Sequence, residues 1–349
     1  MTTGGSTLPF GLTDETWAIS GFLPGYLPDG GPKNVRHVAA GTVSGGAYVG
    51  LPSDEEPMAS TGGRVASMVW GPLTSDFAVA NSTLIVRDVL AGGRLLAQTV
   101  QPGAVFVVAL GRQVAFFGTH LPTPDPQIEG VYALSLADGT VRTLVSPSTG
   151  PQVAGRLGLL LSPNERTLSS SIDNGGGRNA EVIHLDTGIV THFAVGDSRP
   201  VLTTDAVLLV SGSTQLSAYD LASGQQMWEV DDIWYQRGYA TADGTAIVVQ
   251  TGDNGTRGPA NLSNDAKVPA ISRINVATGS RETLLAATGP GLGFQLWPAV
   301  SNDRVAVLLP GGFPPADAMF RGNGSITISV LALDTASLTP LAFTIAAAQ

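Results

Sequence analysis

Residues 231–237 read Asp-Asp-Ile-Trp-Tyr-Gln-Arg, an acidic pair, two adjacent aromatic rings and a guanidinium in one short stretch. The faces of Trp234 and Tyr235 can stack on a sugar ring or anchor a protein partner, and Arg237 adds a fork of hydrogen-bond donors. Asp231 and Asp232 add carboxylate acceptors beside them. The chain has five Trp and six Tyr, and Tyr219, Trp228, Trp234, Tyr235 and Tyr239 crowd into one short region. These rings would equally suit packing between neighbouring elements. Asp231, Asp232, Trp234, Tyr235 and Arg237 are therefore the candidate ligand-binding residues, for a protein or a carbohydrate.

Other chemistry is sparser. Asp173-Asn174-Gly175 and Asp253-Asn254-Gly255 offer turn-held oxygens, with Asn261 and Asp265 after the second. Calcium is the ion such oxygens would take, but no DxDxDG spacing occurs, and the same triplets form Asx turns. Asp173, Asn174, Asp253 and Asn254 are thus the weak metal candidates, and no other cofactor is expected. His37, His120, His184 and His192 fall in different modules or on opposite arms of one hairpin, which speaks against a three-histidine metal site. Cysteine is absent and no GxSxG elbow exists, so nucleophilic catalysis has no visible agent. Gly-Gly-Gly at 175–177 lies between strands rather than before a helix, outside the context of a phosphate cradle. The pairs Glu55/Glu56 and Asp231/Asp232 would have to face each other across a cleft to cleave glycosides. Neighbours on a strand point apart, so these read as solvated surface acids.

The elements that must position these residues announce themselves by repetition. An apolar strand, a small or acidic residue, a turn ending in Gly and a second strand recur as YALSLADGTVRTLV (132–145), EVIHLDTGIVTHFAV (181–195), SAYDLASGQQMWEV (217–230) and SRINVATGSRETLL (272–285). Weaker copies stand at 85–100 and 330–343. Val89, Leu136, Leu185, Leu221, Val276 and Leu333 lie three places before Gly92, Gly139, Gly188, Gly224, Gly279 and Ala336. The turns follow one another at 36 to 57 residues, close to the roughly 40–50 of a four-stranded propeller blade. Such small sheets bury their faces only by stacking on one another. Blades are expected near 64–100, 104–145, 153–195, 198–230, 237–286 and 295–345, with another within 16–57. The fold class is all-β, a seven-bladed β-propeller of four-stranded antiparallel blades, with six or eight blades as the alternative. Gly188 and Gly224 should take positive φ.

SPNERTLSSSIDNGGGRNAEVIHLDTGIVTHFAV (162–195) resembles the WD40-like repeat of TolB-type propellers, in which a Ser-Pro-Asp-Gly-like turn, a strand, an Asp/Asn/Gly loop and a DxxTG-like hairpin follow in order. LSAYDLASGQQMWEV (216–230) is similar to a quinoprotein-type (PQQ-like) propeller repeat. Together the two cover well under half of the chain. The resemblance implies a propeller more than any activity. The α/β hydrolase domain that follows some TolB-like propellers has no counterpart in this chain, nor has the vicinal disulfide of the quinoprotein dehydrogenases.

At 13% charged residues with 44 Gly and 23 Pro, the composition suits a turn-rich β protein. The formal net charge of −10 repels phosphate backbones, so nucleic acid is not an expected partner. The longest tight apolar run, 104–110, is too short to span a bilayer, and no membrane insertion is expected. The start lacks a basic, then apolar, signal pattern. The expected compartment is extracellular or periplasmic if a signal was trimmed, and otherwise cytoplasmic. The domain reading is a leader over 1–14, one propeller domain over 15–345 and a tail over 346–349.

In an antiparallel blade the first-to-second and third-to-fourth turns share one end. The chain's longest insertions, 118–130, 171–180, 251–269 and 310–324, precede third strands and so fall at the other end, as does the 231–237 link. Long loops are uncommon unless functional or disordered. The functional expectation is a non-catalytic binding or scaffold propeller recognising a protein or saccharide at the long-loop end. The alternative is a propeller enzyme, a lyase or lactonase-type hydrolase with a metal in the central channel.

Overall fold

Each copy of the repeated phrase folds as a β-hairpin closing a four-stranded sheet. The computed structural model describes residues 8–12, 16–26, 32–42, 45–52, 54–61, 63–73, 79–120, 127–128, 130–146, 148–149, 156–173, 178–196, 198–212, 215–231, 238–241, 244–251, 270–286, 295–300, 304–308, 325–332 and 338–344. No α-helix occurs among them.

In chain order the first sheet is β1 (Leu8–Leu12), β2 (Thr16–Tyr26), β3 (Pro32–Thr42) and β4 (Gly45–Gly50), and the second is β5 (Glu55–Thr61), β6 (Arg64–Trp70), β7 (Asn81–Asp88) and β8 (Arg94–Pro102). The third joins β9 (Ala104–Leu110), β10 (Val114–His120), β12 (Gly130–Ser135) and β13 (Val141–Val145), while β11 (Gln127–Ile128) leaves it to pair with β14 (Ser148–Thr149). The fourth comprises β15 (Arg156–Leu161), β16 (Thr167–Asp173), β17 (Arg178–His184) and β18 (Val190–Gly196). Then come β19 (Arg199–Thr203), β20 (Val207–Ser211), β21 (Gln215–Asp220) and β22 (Gln226–Asp231). The last two sheets are β23 (Gly238–Ala240), β24 (Ala246–Thr251), β25 (Ala270–Asn275), β26 (Arg281–Ala286), and β27 (Gln295–Val300), β28 (Arg304–Leu308), β29 (Ser325–Ala332), β30 (Leu338–Thr344). Neighbouring strands follow sequence order in each sheet, as hairpin-linked meanders do. Two edges differ from the sequence expectation: Leu8–Leu12, placed there in the leader, is a strand, and the second sheet opens at Glu55–Thr61 rather than near 64.

Contacts divide the chain into two compact units, one of Met1–Leu159, Ser170–Asn179 and Ile345–Gln349, the other of Leu160–Ser169 and Ala180–Thr344. In the first, Ala66, Met68, Leu84 and Val86 of one sheet bury against Val105, Ala115, Phe117 and Leu134 of the next. The Phe117 and Tyr132 rings stack at 5.4 Å. In the second unit β20 is buried along its whole length. Leu208 and Val210 pack toward Ala180, Val182 and Phe193, while Leu209 packs toward Ile247 and Ile274. This is why β20 reads Val-Leu-Leu-Val without alternation: both faces of the strand lie in a core. Each such fully buried Leu contributes about 1.5–3 kcal/mol.

The aliphatic residue three places before each turn glycine has a backbone task. The amides of Val89, Leu136, Leu185, Leu221 and Val276 donate to the carbonyls of Gly63, Gln113, Arg166, Ala206 and Thr245, at 2.8–3.0 Å. Each bond ties the third-to-fourth turn to the first-to-second turn of its own sheet, so both turns stand at one end. Gly139, Gly188, Gly224 and Gly279 close these hairpins with φ of 73°, 72°, 70° and 70°, the left-handed region that Gly enters without steric cost. The positive φ expected of Gly188 and Gly224 is found. In the Ser-Pro-Asn-Glu turn, Glu165 stands where the TolB-like pattern carries Gly and takes φ 59°.

Side chains lock the hairpins too. Asp220 Oδ1 accepts from the Ser223 hydroxyl and amide, both at 2.7 Å, and Asp138 Oδ1 accepts from the Thr140 amide and hydroxyl at 3.1 and 2.8 Å. Hydrogen bonds to Ser223 hold the Asp220 carboxyl below the ordinary aspartate value, and the Thr140 amide leads the same effect at Asp138. A carboxyl whose folded pKa is depressed stabilises the fold above its unfolded value, near 3.9, and loses that contribution as pH falls through the folded value. Asn275 makes the same kind of turn with an oxygen that does not titrate, accepting from the Ala277 and Thr278 amides. Melting temperature should therefore fall more steeply below pH 4 in the wild type than in an Asp138→Asn/Asp220→Asn variant, and parallel acid limbs would show that these caps contribute nothing.

Candidate functional site

The two ends of the described sheets differ. First-to-second turns are short, residues 62–63 and 204–206 for example, whereas the second-to-third connections of the second, third, sixth and seventh sheets run over 71–80, 121–129, 252–269 and 309–324; those of the first, fourth and fifth are short, 27–31, 174–177 and 212–214. All four insertions expected from the sequence lie between second and third strands, three of them long. The length of the fourth is corrected: β16 runs on to Asp173 and β17 starts at Arg178, which leaves only 174–177 between them. The connection over 71–80 was missed, because Leu73 and Val79 within it resemble strand residues. They form an isolated bridge.

Asp231 is the last residue of β22, exposed, and paired in register with Gln215 at the start of β21. Some five residues of extended strand, roughly 17 Å, separate it from the Gly224 turn. Asp232, Trp234, Tyr235 and Arg237 lie outside the described residues, as do Asn174, Asp253 and Asn254. Asp173 ends β16. Among the described residues no three His, Cys, Asp or Glu side chains cluster so as to hold a metal. His184 closes β17 and His192 stands on β18, the two arms of one hairpin.

The reading of Glu55 as a solvated acid is overturned, while Glu56 keeps a partly exposed position. Adjacent on β5, they point to opposite faces, as strand neighbours must. Glu56 accepts from Trp70 Nε1 at 3.0 Å. Glu55 is only 2% exposed and accepts from Ser67 Oγ at 2.7 Å, Arg87 Nε at 3.1 Å and Arg87 Nη2 at 2.5 Å. Arg87 also donates to the Gly93 carbonyl at 3.3 Å. The hydrogen bonds to Glu55 raise the Arg87 guanidinium above its ordinary value against the opposing effect of burial. A carboxylate so fully engaged across three strands serves the sheet, not proton transfer. A signal existed in the sequence: Arg87 stands where the other copies carry Leu134, Ile183, Tyr219 and Ile274, and a charge in an apolar register demands a buried partner.

At the hairpin ends of the second unit, Asp205 accepts from Ser162 Oγ and from Asn164 Nδ2, both at 2.8 Å, which clasps the first-to-second turns of successive sheets. Trp228, half-buried, donates its indole N–H to the Val276 carbonyl at 2.8 Å. Beside Phe193 a cavity of about 430 Å³ opens, walled by Thr191, His192, Tyr219, Leu221 and Ser223. Its size lies within the roughly 300–1,000 Å³ of small-molecule sites. Sequence reading overlooked it, since a cavity depends on which ring faces which turn.

No family model matches the chain, and no curated protein matches it in sequence. Solved structures do match. A prolyl endopeptidase, one of two analysed for inter-domain dynamics in catalysis and specificity, aligns at TM-score 0.61 and 9% identity over 99% of this chain and 50% of its own. The present chain thus spans about half the length of that protein. A putative 6-phosphogluconolactonase from Bacteroides uniformis aligns at TM-score 0.53 and 16% identity, over 95% of this chain and 97% of its own. Hsv2 from Kluyveromyces marxianus aligns at 0.50 and 8%, over 93% of each. These are propeller-type folds, and at such identities the similarity gives the fold alone: this chain is all-β, of four-stranded antiparallel sheets, with a propeller-type fold.

Proposed function

We propose that the chain is a single seven-bladed propeller, its first blade opening at the Leu8–Leu12 strand, of TolB-like and PQQ-like repeat type, that binds a protein or saccharide at the long-connection ends of its blades. The observation that carries this reading is the placement of Asp231, exposed at the end of β22 away from the tightly bonded turns, from which the Asp-Ile-Trp-Tyr-Gln-Arg segment continues. A surface built for recognition combines aromatic anchors with a polar rim, and this segment supplies both. The short turns at the other end have their backbone and cap groups already engaged with one another.

A second reading, a propeller enzyme of lactonase-hydrolase type with a central metal, is favoured by the full-length similarity to the putative 6-phosphogluconolactonase. The two separate by metal content. After dialysis against a chelator and then buffer, the binding module should hold no stoichiometric Ca²⁺ or Zn²⁺ by elemental analysis and should not open 6-phosphogluconolactone. One tightly held metal per chain, with lactone turnover that returns on adding it back, would establish the enzyme instead.

A further inference from the structure

Trp70 is an exposed ring at the long-connection end of the second sheet, and its surroundings follow from two ladders. β5 pairs with β6 so that Glu55 stands opposite Val69 and Glu56 opposite Met68. One step further in that register Asp54 stands opposite Trp70, and strand alternation gives Asp54, Glu56 and Trp70 a common face. The ladder of β6 on β7 also runs on past both strands: the Gly71 amide donates to the Asn81 carbonyl at 2.8 Å, the Ala80 amide donates to the Pro72 carbonyl at 2.9 Å, and Leu73 bridges Val79. Pro72 therefore joins the Trp70 face, and Leu73 stands on the other.

Trp70 is 38% exposed although its indole N–H donates to Glu56 Oε2 at 3.0 Å. The bond fixes one edge of the ring, and part of its surface stays open to solvent. Asp54 and Pro72 are exposed, and Asp54 has no ion-pair partner among the described residues. The surface thus joins an aromatic ring, an exposed proline and two carboxylates, of which Glu56 has acceptor capacity beyond the one bond from Trp70. A guanidinium is the group this combination fits: its plane stacks on an indole while its fork of N–H groups meets carboxylates. An ammonium supplies the charge without the plane, and a neutral saccharide would meet the ring but leave the charge of two carboxylates unmatched. The formal net charge of −10 draws a basic partner to the chain.

We propose that Asp54, Glu56, Trp70 and Pro72 form a docking surface for an arginine side chain in a basic segment of a protein partner, the guanidinium stacking on the Trp70 indole and donating to the two carboxylates. The proposal rests on the long-connection ends being the recognition ends, and names the chemistry of the partner there. It uses no residue of the 231–237 link.

Fluorescence anisotropy of labelled nona-arginine titrated with the intact protein at physiological salt tests it, with nona-lysine as the matched cation. Saturable binding of nona-arginine is expected, about threefold or more tighter than that of nona-lysine. Trp70→Ala should weaken it about fivefold with little change in melting temperature. Asp54→Lys, at an exposed position that leaves the ring in place, should weaken it about tenfold. Leu73→Ala, on the opposite face, should change nothing. Equal affinity for the two peptides, or undiminished binding in a folded Trp70→Ala variant, would reduce the interaction to general charge attraction and overturn the proposal. Absence of saturable binding would overturn this proposal alone, since the recognition end is tested separately through Trp234. Loss of nona-arginine binding in Trp234→Ala but not in Trp70→Ala would likewise overturn it while leaving the recognition end in place.

Discussion

Arg87→Met is expected to destabilise the protein by about 3 kcal/mol, read as a lowered denaturation midpoint at unchanged slope. The loss arises from what is left behind. Glu55 is 2% exposed, and without the guanidinium only the Ser67 hydroxyl still donates to its carboxylate among the partners described. Leaving a buried charge without its partner costs about 3–5 kcal/mol. The Arg87 side chain is 23% exposed, so solvent already screens part of the pair and the lower end applies. Removing both charges, in Glu55→Gln/Arg87→Met, should recover most of the loss, because a neutral amide can keep the Ser67 bond. Arg87→Lys should recover little, since a single ammonium cannot reproduce the Nε and Nη2 fork. A double variant no more stable than Arg87→Met would show that the loss comes from packing of the arginine stem.

Gly279→Ala should cost about 2–4 kcal/mol, against about 1 kcal/mol for Gly188→Ala. The backbone term is common to both, since φ is 70° at Gly279 and 72° at Gly188, and a Cβ in the left-handed region costs roughly 1–2 kcal/mol. The surroundings differ. At Gly188 a methyl meets nothing within 4 Å, whereas at Gly279 it would stand 2.8, 2.9 and 3.0 Å from three indole carbons of Trp228. That ring is fixed by its bond to Val276 and by the surrounding core, and overpacking of this kind costs typically 1–3 kcal/mol more. Equal melting temperatures for the two variants would mean that the indole moves aside freely.

These two sites mark how far the sequence carries. The hairpins were legible because their requirements are local: a glycine at positive φ, an Asp or Asn cap, and an aliphatic residue at fixed distance, each set by backbone chemistry within six residues. The sheets in the middle of the chain were bounded to within a few residues for the same reason. The strand Glu55–Thr61 was not recognised, its first three residues falling in the 16–57 segment and the next blade being started at 64, because the two-residue turn 62–63 that joins it to its partner lacks the repeated phrase. Glu55 itself was misread as a surface acid because its partner lies 32 residues away on a third strand, and only the odd charge at Arg87 among apolar equivalents hinted at it. Asp205 gives no hint either. It reads as a turn residue, and its role comes from Ser162 and Asn164, more than 40 positions earlier. The aromatic segment after Asp231 stood out by composition, yet composition does not distinguish a recognition surface from packing.

The measurement that bears most directly on the proposed recognition end is a comparison of two substitutions at opposite ends of their sheets. Trp234→Ala removes an aromatic anchor beyond Asp231, and Thr187→Ala removes a hydroxyl from the exposed Leu185–Gly188 turn, where Thr187 accepts from the Ile189 amide at 3.3 Å. With a saccharide or protein ligand selected on the wild-type chain, Trp234→Ala should weaken binding by about 1–3 kcal/mol with little change in melting temperature, and Thr187→Ala should leave binding unchanged. Equal losses from the two, or collapse of folding on Trp234→Ala alone, would assign Trp234 to packing and contradict recognition at the long-connection end.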